Sequence, residues 1–197
     1  MAVFSTDLSQ TVEVLLERKN YNSVKDILST VNPADIAVIF RDQPAQRLLM
    51  LFRLLPKETA ADVFVEMEPV LQEQLINAFS DKELADIVNE MYADDAADLV
   101  EEMPASVVKR ILKQASPDVR RDINELLKYP EDSAGSIMTP EFADLHSSMT
   151  AAEALDHIRL TGVDKETIDI CYVIEKRRLI GLVSLRTLVL ANARAVV

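Results

Sequence analysis

Glycine is absent from the first 134 residues of this 197-residue chain, whereas proline recurs there at regular intervals. The prolines stand 11 to 13 residues apart except for one longer gap, at Pro33, Pro44, Pro56, Pro69, Pro104 and Pro117. Glycine destabilises a helix interior by about 1 kcal/mol, whereas proline is favoured at the first helical position. Together the two distributions predict a series of helices, each about ten residues long, between residues 20 and 128.

Capping residues support these helix starts. Asn32 and Ser116 each stand directly before a proline, which is the order expected of a cap and a first helical residue. The long proline-free gap holds two more candidate starts, at Ser80-Asp81 and at Ala93-Asp94, and both keep the same spacing. We therefore expect the helices to continue through the gap without interruption.

Four segments of the helical region resemble one another: ADIAVIF, AADVFVEM, LADIVNEM and AADLVEEM. Their shared aspartates are separated by 27, 24 and 12 positions, at Asp35, Asp62, Asp86 and Asp98. A unit of about 12 residues that doubles to about 24 is typical of stacked helical hairpins. The fold class is therefore mainly α, with a small superhelical domain over residues 1–128.

The pattern changes after Gly135, the first glycine of the chain. A capping box at Thr150 to Glu153 predicts a helix through about Leu160. Two β-rich runs follow, from about 167 to 174 and from 179 to 183, and a last helix is expected from 185 to about 193. Residues 141–197 are thus predicted to form an α/β module. Residues 129–140, which include Glu131 and Asp132, are predicted to be the junction or hinge between the two domains.

Composition excludes several function classes. The net charge is −12, and the segment from Glu58 to Glu102 holds 14 acidic residues against one basic residue, Lys82. Such a balance argues against nucleic acid as a partner. Cys171 is the only cysteine, and we expect it to be buried. No stretch is apolar enough to span a membrane, and the N-terminus shows no recognisable signal peptide. No nucleophile or phosphate-binding motif occurs, so we predict that the chain is not an enzyme.

Acidic residues recur at helical spacing on three predicted helices. The sets are Glu58, Asp62 and Glu66; Glu83, Asp86 and Glu90; and Asp94, Asp98 and Glu101 or Glu102. Like charges at this spacing cost about 0.2–0.5 kcal/mol each, and no lysine stands four residues after any of these acids to relieve the repulsion. Two interpretations remain open: a solvated acidic surface, or a surface that binds hard divalent cations such as Mg²⁺ through oxygen ligands.

The segment YPEDSAGSIMT resembles the junction signature of the MgtE family of magnesium channels and transporters. NPADIA, LFRLLPKETAADVFVEM and DDAADLVEEMP are similar to the helical repeats of that family's N-domain, and ICYVIEKRRLIGLVSLRTLVLA is similar to the end of its first CBS module. The resemblance implies a right-handed superhelical stack of short helices followed by one CBS module. It also implies that the chain is a fragment, without the second CBS module and the transmembrane part.

The resemblance further implies a function and a set of ligands. The family forms homodimeric Mg²⁺ channels in the bacterial cytoplasmic membrane, in which the cytosolic region senses Mg²⁺ through acidic surfaces between domains. The positions that match its ion-contacting residues are Asp62, Asp94, Asp98 and Gly135. Any membrane contact would come only through the missing C-terminal part.

Two departures and two alternatives accompany this assignment. Ser136 replaces a glycine common in the family, and Thr187 replaces the aspartate that accepts ribose hydrogen bonds in CBS modules. A nucleotide-responsive CBS regulator is therefore disfavoured. The other alternative is a helical scaffold for protein–protein interaction, because the repeats also resemble those of flagellar motor switch proteins.

Overall fold

The computed structural model describes residues 2–130 and 132–197, with side chains from residue 8 onward. Glu131, which the sequence places in the hinge, lies outside the described residues. The chain divides into two compact units. The first comprises Met1–Met91 and Asp95–Pro130, and the second comprises Tyr92–Asp94 and Glu131–Val197.

The first unit consists of short helices joined by tight connections, except that Ala93 and Asp94, the first two residues of the helix Ala93–Glu102, belong to the second unit. The helices are α1 (Ala2–Glu17), α2 (Tyr21–Leu28), α3 (Pro33–Arg41), α4 (Ala45–Phe52), α5 (Lys57–Val65), α6 (Pro69–Ala78), α7 (Asp81–Val88), α8 (Ala93–Glu102), α9 (Ala105–Gln114) and α10 (Pro117–Leu126). The predicted series of short helices is confirmed. Sequence analysis assigned no individual helix before residue 20, and α1 fills that region.

The prolines begin helices in two different ways. Pro33, Pro69 and Pro117 occupy the first helical turn, as predicted. The other three prolines, at 44, 56 and 104, stand one position earlier, at the N-cap, with extended ψ angles between 145° and 155°. A proline side chain cannot accept a hydrogen bond, so these three helices begin without a side-chain cap. Asn32 and Ser116 do cap their helices, by accepting hydrogen bonds from backbone N–H groups.

The two starts predicted inside the proline-free gap also form. Ser80 and Glu83 make a complete capping box at the start of α7. Helix α8 begins at Ala93, so Asp94 lies inside the first turn and not at the cap, where the sequence placed it.

The odd-numbered helices from α1 to α9 form a continuous row in which each helix packs against the next odd-numbered one. Contacts join α1 to α3, α3 to α5, α5 to α7 and α7 to α9, and a second row joins α4 to α6. Three phenylalanines, Phe52, Phe64 and Phe79, meet in this core with ring centroids 5.3 to 6.4 Å apart. This alternation is the packing of a stack of hairpins, and it confirms the repeat inferred from the aspartate spacing.

The second unit is an α/β module with its own core. Strands β1 (Phe142–His146), β2 (Thr167–Glu175) and β3 (Arg178–Ser184) form a sheet in the order β1-β2-β3, with β1 parallel and β3 antiparallel to β2. Helix α11 (Ala151–Thr161) connects the two parallel strands, and α12 (Leu185–Leu190) follows β3. The capping box of Thr150 and Glu153 is present, as predicted.

Two details of this module differ from the sequence expectation or extend it. Helix α12 ends at Leu190 and not near residue 193, because the chain turns back and the carbonyls of Ala193 and Ala195 accept hydrogen bonds from the first N–H groups of α11. Cys171 is buried in the core, as predicted, and burial raises the pKa of its thiol.

In the described part of the chain, no helix is both long and apolar enough to cross a membrane.

Arg110 of α9 joins three segments of the helical stack. Its guanidinium donates hydrogen bonds to the carbonyl oxygens of Ile76 and Phe79, the latter at 2.6 Å, and to the carboxylate of Asp81 at 3.2 Å. The carbonyls at the end of α6 have no partner within their own helix. Arg110 of α9 therefore provides hydrogen-bond donors to the end of α6, three helices earlier in the chain.

We predict that Arg110→Met lowers the free energy of unfolding by about 2 kcal/mol, because it leaves part-buried carbonyls without a charged donor while it keeps the aliphatic stem. Urea denaturation followed by circular dichroism measures the change. Lys109→Met, at an exposed neighbour, is the matched control. Equal midpoints for the two variants would show that the Arg110 contacts contribute nothing.

Candidate cation-binding acidic surfaces of the helical unit

The acidic residues of α7 are neutralised from the preceding repeat. Arg53 Nε lies 2.7 Å from Glu83 Oε1, and Lys57 Nζ lies 2.8 Å from Asp86 Oδ1. The spacing within the helix, with no lysine four residues after any of these acids, indicated an uncompensated face. That interpretation is wrong for Glu83 and Asp86, because the neutralising cations stand about 30 positions earlier in the chain.

Glu83 is the most strongly stabilised of these carboxylates. It accepts hydrogen bonds from Arg53 and from both the backbone and the hydroxyl of Ser80. These contacts, with Arg53 the largest contribution, lower the pKa of Glu83 from 4.5 to about 2. Glu83 is therefore already engaged in an ion pair, and a metal cation would have to displace Arg53 in order to bind it.

The acidic residues of α5 have no such compensation. Within the part of the chain that the structure describes, Glu58, Asp62 and Glu66 form no ion pair. Partial burial raises the pKa of Asp62, and the neighbouring charge of Glu58 raises it further. The ionised form of Asp62 is therefore disfavoured, and a bound cation would favour it.

The acidic residues of α8 lie in two different environments. Asp98, Glu101 and Glu102 are exposed, and none of them forms an ion pair with another described residue. Asp94 is half-buried in the first turn of the helix and already interacts with a neighbouring group. The two aspartates predicted as ligands on this helix are therefore not equivalent, and Asp98 is the more accessible.

Gly135 lies in a short 3-10 turn, Ala134–Ile137, where Ser136 donates its N–H and its hydroxyl to the carbonyl of Ser133. Gly135 has no positive φ, and the left-handed residue of this segment is Asp132, with φ of 60°. Other residues can adopt the backbone conformation of Gly135.

The four predicted ligands are divided between the two units. Asp62 and Asp98 belong to the helical unit, whereas Asp94 and Gly135 belong to the second unit. Among the described residues, no three His, Cys, Asp or Glu side chains are arranged to hold a single metal ion. The exposed carboxylates fit Mg²⁺ as oxygen ligands, one or two at a time, with water completing the coordination shell. They do not form a closed protein cage.

The second unit contains a groove that the sequence pattern did not predict. The groove has a volume of about 670 Å³ and is lined by Asp169, Ile170, Ser184, Leu185, Arg186, Val189 and Leu190. Ser184 caps α12, and its hydroxyl lies 2.8 Å from that of Thr187. Asp169 contributes a carboxylate to the lining of this groove. The sequence pattern could not predict this groove, because its lining residues come from two segments, 169–170 and 184–190, that meet only when β2 pairs with β3.

Comparison with known proteins gives a consistent result. The family model for the MgtE intracellular N domain matches residues 31–132. The chain is 31% identical over 192 residues to the magnesium transporter MgtE of Thermus thermophilus and 26% identical over 187 residues to that of Bacillus subtilis. These matches cover 95% and 94% of the chain but 42% of each relative, so the chain spans about two fifths of their length.

A solved structure shares the fold of both units. It is the crystal structure of the cytosolic domain of the Mg²⁺ channel MgtE in complex with ATP, which is 28% identical with a TM-score of 0.85. The match covers 95% of this chain and 77% of that one. The mainly helical fold with a small three-stranded sheet is therefore shared with a cytosolic domain of known structure.

We predict that Glu83→Gln lowers stability at neutral pH by about 1 kcal/mol, a value reduced for solvent screening because the side chain is partly exposed. The folded pKa of Glu83 is depressed, so its contribution is present above the ordinary pKa of 4.5 and is lost as the pH falls toward about 2. The difference in unfolding free energy between wild type and variant should therefore shrink across this window. Glu17→Gln, at an exposed position on α1, is the control and should show no such trend.

Proposed function

The chain belongs to the family of the MgtE intracellular N domain, and on this premise we propose that it is the cytosolic regulatory region of a magnesium transporter or channel. In this proposal it senses the Mg²⁺ concentration on the cytoplasmic side of a bacterial membrane and gates a pore that lies outside the chain. The functional unit would be a homodimer attached to a second CBS module and a transmembrane domain.

The observation that carries the proposal is a contrast between neighbouring acidic faces. On α7, basic residues of the preceding repeat neutralise two of the three acidic residues. On α5 and on the exposed part of α8, the acidic residues have no ion-pair partner among the described residues. If the acidic residues served only solubility, there would be no reason for ion pairs to form on α7 and not on α5 or the exposed part of α8. A surface that must respond to cations needs carboxylates that no lysine or arginine already occupies.

The mechanism follows from electrostatics. Bound Mg²⁺ supplies two positive charges that neutralise nearby carboxylates, largely through its own water molecules. Asp62 and Glu58 repel each other, and Asp98 lies beside Glu101 and Glu102 on α8. When Mg²⁺ is abundant, the compact arrangement of these helices is favoured, and when it is scarce, the repulsion is restored. An equilibrium between two conformations can be biased in this way by an ion that binds one of them better.

The ligand set proposed for this response is Asp62 and Asp98, with Asp94 and Gly135 as further family-matched positions. Asp62 is the best supported, because burial and Glu58 both disfavour its ionised form and a cation would reverse that effect. Asp94 already interacts with another group, so binding of Mg²⁺ by Asp94 would require it to exchange that interaction for the ion.

We predict that Asp62→Asn/Asp98→Asn raises the melting temperature without Mg²⁺ by about 1–3 °C, because two sources of repulsion are removed. Added millimolar Mg²⁺ should then raise the melting temperature of the variant less than that of the wild type. Thermal denaturation with and without MgCl₂ measures both effects.

Asp86→Asn is the matched control for this experiment. It removes one carboxylate of the same type, but one that pairs with Lys57 at 2.8 Å. We expect it to lose stability and to keep the full Mg²⁺ response. If the double variant responds to Mg²⁺ as the wild type does, then Asp62 and Asp98 are not ligands.

The groove beside β3 supports a second candidate function, the binding of an adenine nucleotide. Its apolar residues Ile170 and Val189 could contact a base, the carboxylate of Asp169 could accept ribose hydrogen bonds, and Arg186 could bind phosphates. The similar crystal structure is a complex with ATP. Thr187 cannot fill the ribose-binding role of the family aspartate, so in this chain Asp169 would have to do so.

We predict that Arg186→Gln raises the ATP dissociation constant about tenfold, as expected for loss of one charge-assisted hydrogen bond to phosphate. Isothermal titration calorimetry at constant Mg²⁺ measures it. Arg194→Gln, at an exposed position outside the groove, should bind ATP as the wild type does. An unchanged constant in Arg186→Gln, or no binding by the wild type, would exclude this groove as the nucleotide site.

A further inference from the structure

The turn between β2 and β3 carries the densest group of positive charge in an otherwise acidic chain. Lys176, Arg177 and Arg178 are consecutive and exposed. None of them forms an ion pair with any residue that the structure describes. The cross-strand neighbour of Arg178 is Glu175, so three positive charges and one negative charge leave a local sum of +2 at the tip.

The backbone of this turn is unusual for the residues it contains. Lys176 and Arg177 have φ angles of 48° and 65°, and two-residue hairpin turns with two positive φ angles strongly favour Asn-Gly. Long basic side chains therefore stand where the local conformation favours small residues. The stability of the hairpin does not explain this choice, whereas a role for the charges does.

Apolar side chains continue directly from the basic tip into β3. Leu179 is 60% exposed and Ile180 is 53% exposed. Adjacent basic and apolar side chains match the layered chemistry of a bilayer interface, where anionic headgroups lie above hydrocarbon. A hairpin tip is also convex, so it can touch an extended surface but cannot enclose a small ligand.

We propose that the segment from Lys176 to Ile180, the basic hairpin, docks on the anionic surface of a lipid bilayer. The remaining acidic charges of the chain do not prevent this, because at physiological ionic strength charges more than about 8 Å away are largely screened. The contact would be weak for the isolated chain and stronger in a protein held at the membrane by other segments. In that respect the inference rests on the proposed function, and it adds a direct membrane contact to the one expected through the missing C-terminal part.

Vesicle flotation of the full chain tests the proposal. We expect binding to equimolar phosphatidylglycerol–phosphatidylcholine vesicles at low salt, loss of binding at high salt, and little binding to pure phosphatidylcholine. Lys176→Asn/Arg177→Gly removes two charges and also gives the turn its preferred residues. Binding should fall about 25-fold, from about fivefold for each basic residue near the surface, while the melting temperature should not fall.

The matched control is Lys109→Gln/Lys113→Gln, which changes the net charge equally at exposed positions on α9 and should bind as the wild type does. The proposal is overturned if the wild type does not bind anionic vesicles at low salt, or if the hairpin variant binds them equally well. Displacement by soluble glycerol phosphate at the same phosphate concentration would also overturn it, because the turn would then be a phosphate site. Since the Mg²⁺ response is tested with different residues, failure here and failure of the proposed function are distinguishable.

Discussion

Short helices are the physical constraint from which the other features of this structure follow. Helices α2 to α10 are only 8 to 10 residues long, and isolated helices of that length are marginal in water. Every end also exposes backbone groups without partners in its own helix. Contacts between repeats stabilise the short helices and supply partners for their ends. Arg110 donates to a carbonyl at the end of α6. The buried Gln72 donates to the carbonyl of Phe64, near the end of α5, at 2.8 Å.

The same contacts between repeats determine where negative charge remains. Arg41 lies 3.0 Å from Glu68, and Arg53 and Lys57 pair with Glu83 and Asp86, so basic residues of one hairpin are engaged by acidic residues of the next. The segment from 58 to 102 contains only one basic residue. Its carboxylates must therefore find cations elsewhere in the stack, and those on α5 find none among the described residues. Local charge imbalance is thus a property of the repeat geometry as well as of composition.

Sequence reasoning succeeded where the determinant is local. Proline spacing and capping residues placed the helices after residue 20, and the capping box at Thr150 placed α11. It failed where the determinant is a contact between distant segments. Glu83 and Asp86 looked uncompensated because Arg53 and Lys57 lie about 30 positions away, and the early end of α12 depends on hydrogen bonds to α11. The charge pattern of Asp62, Asp98 and their neighbours could be predicted, but the absence of ion-pair partners for these acids required the packing of the stack.

The proposed sensing function requires weak and reversible ion contacts, and the described carboxylates do not form a closed cage. An ion enclosed by several charged protein oxygens is generally bound more tightly than an ion that keeps most of its water. An ion that keeps most of its water and contacts one or two carboxylates binds weakly, and its occupancy changes where the free concentration itself changes. In the proposed mechanism, the repulsion between Asp62 and Glu58 would set the direction of the response, because it disfavours the compact arrangement when no ion is bound. A face neutralised by arginine or lysine, such as that of α7, could not respond in this way, since its charges are already balanced at every Mg²⁺ concentration.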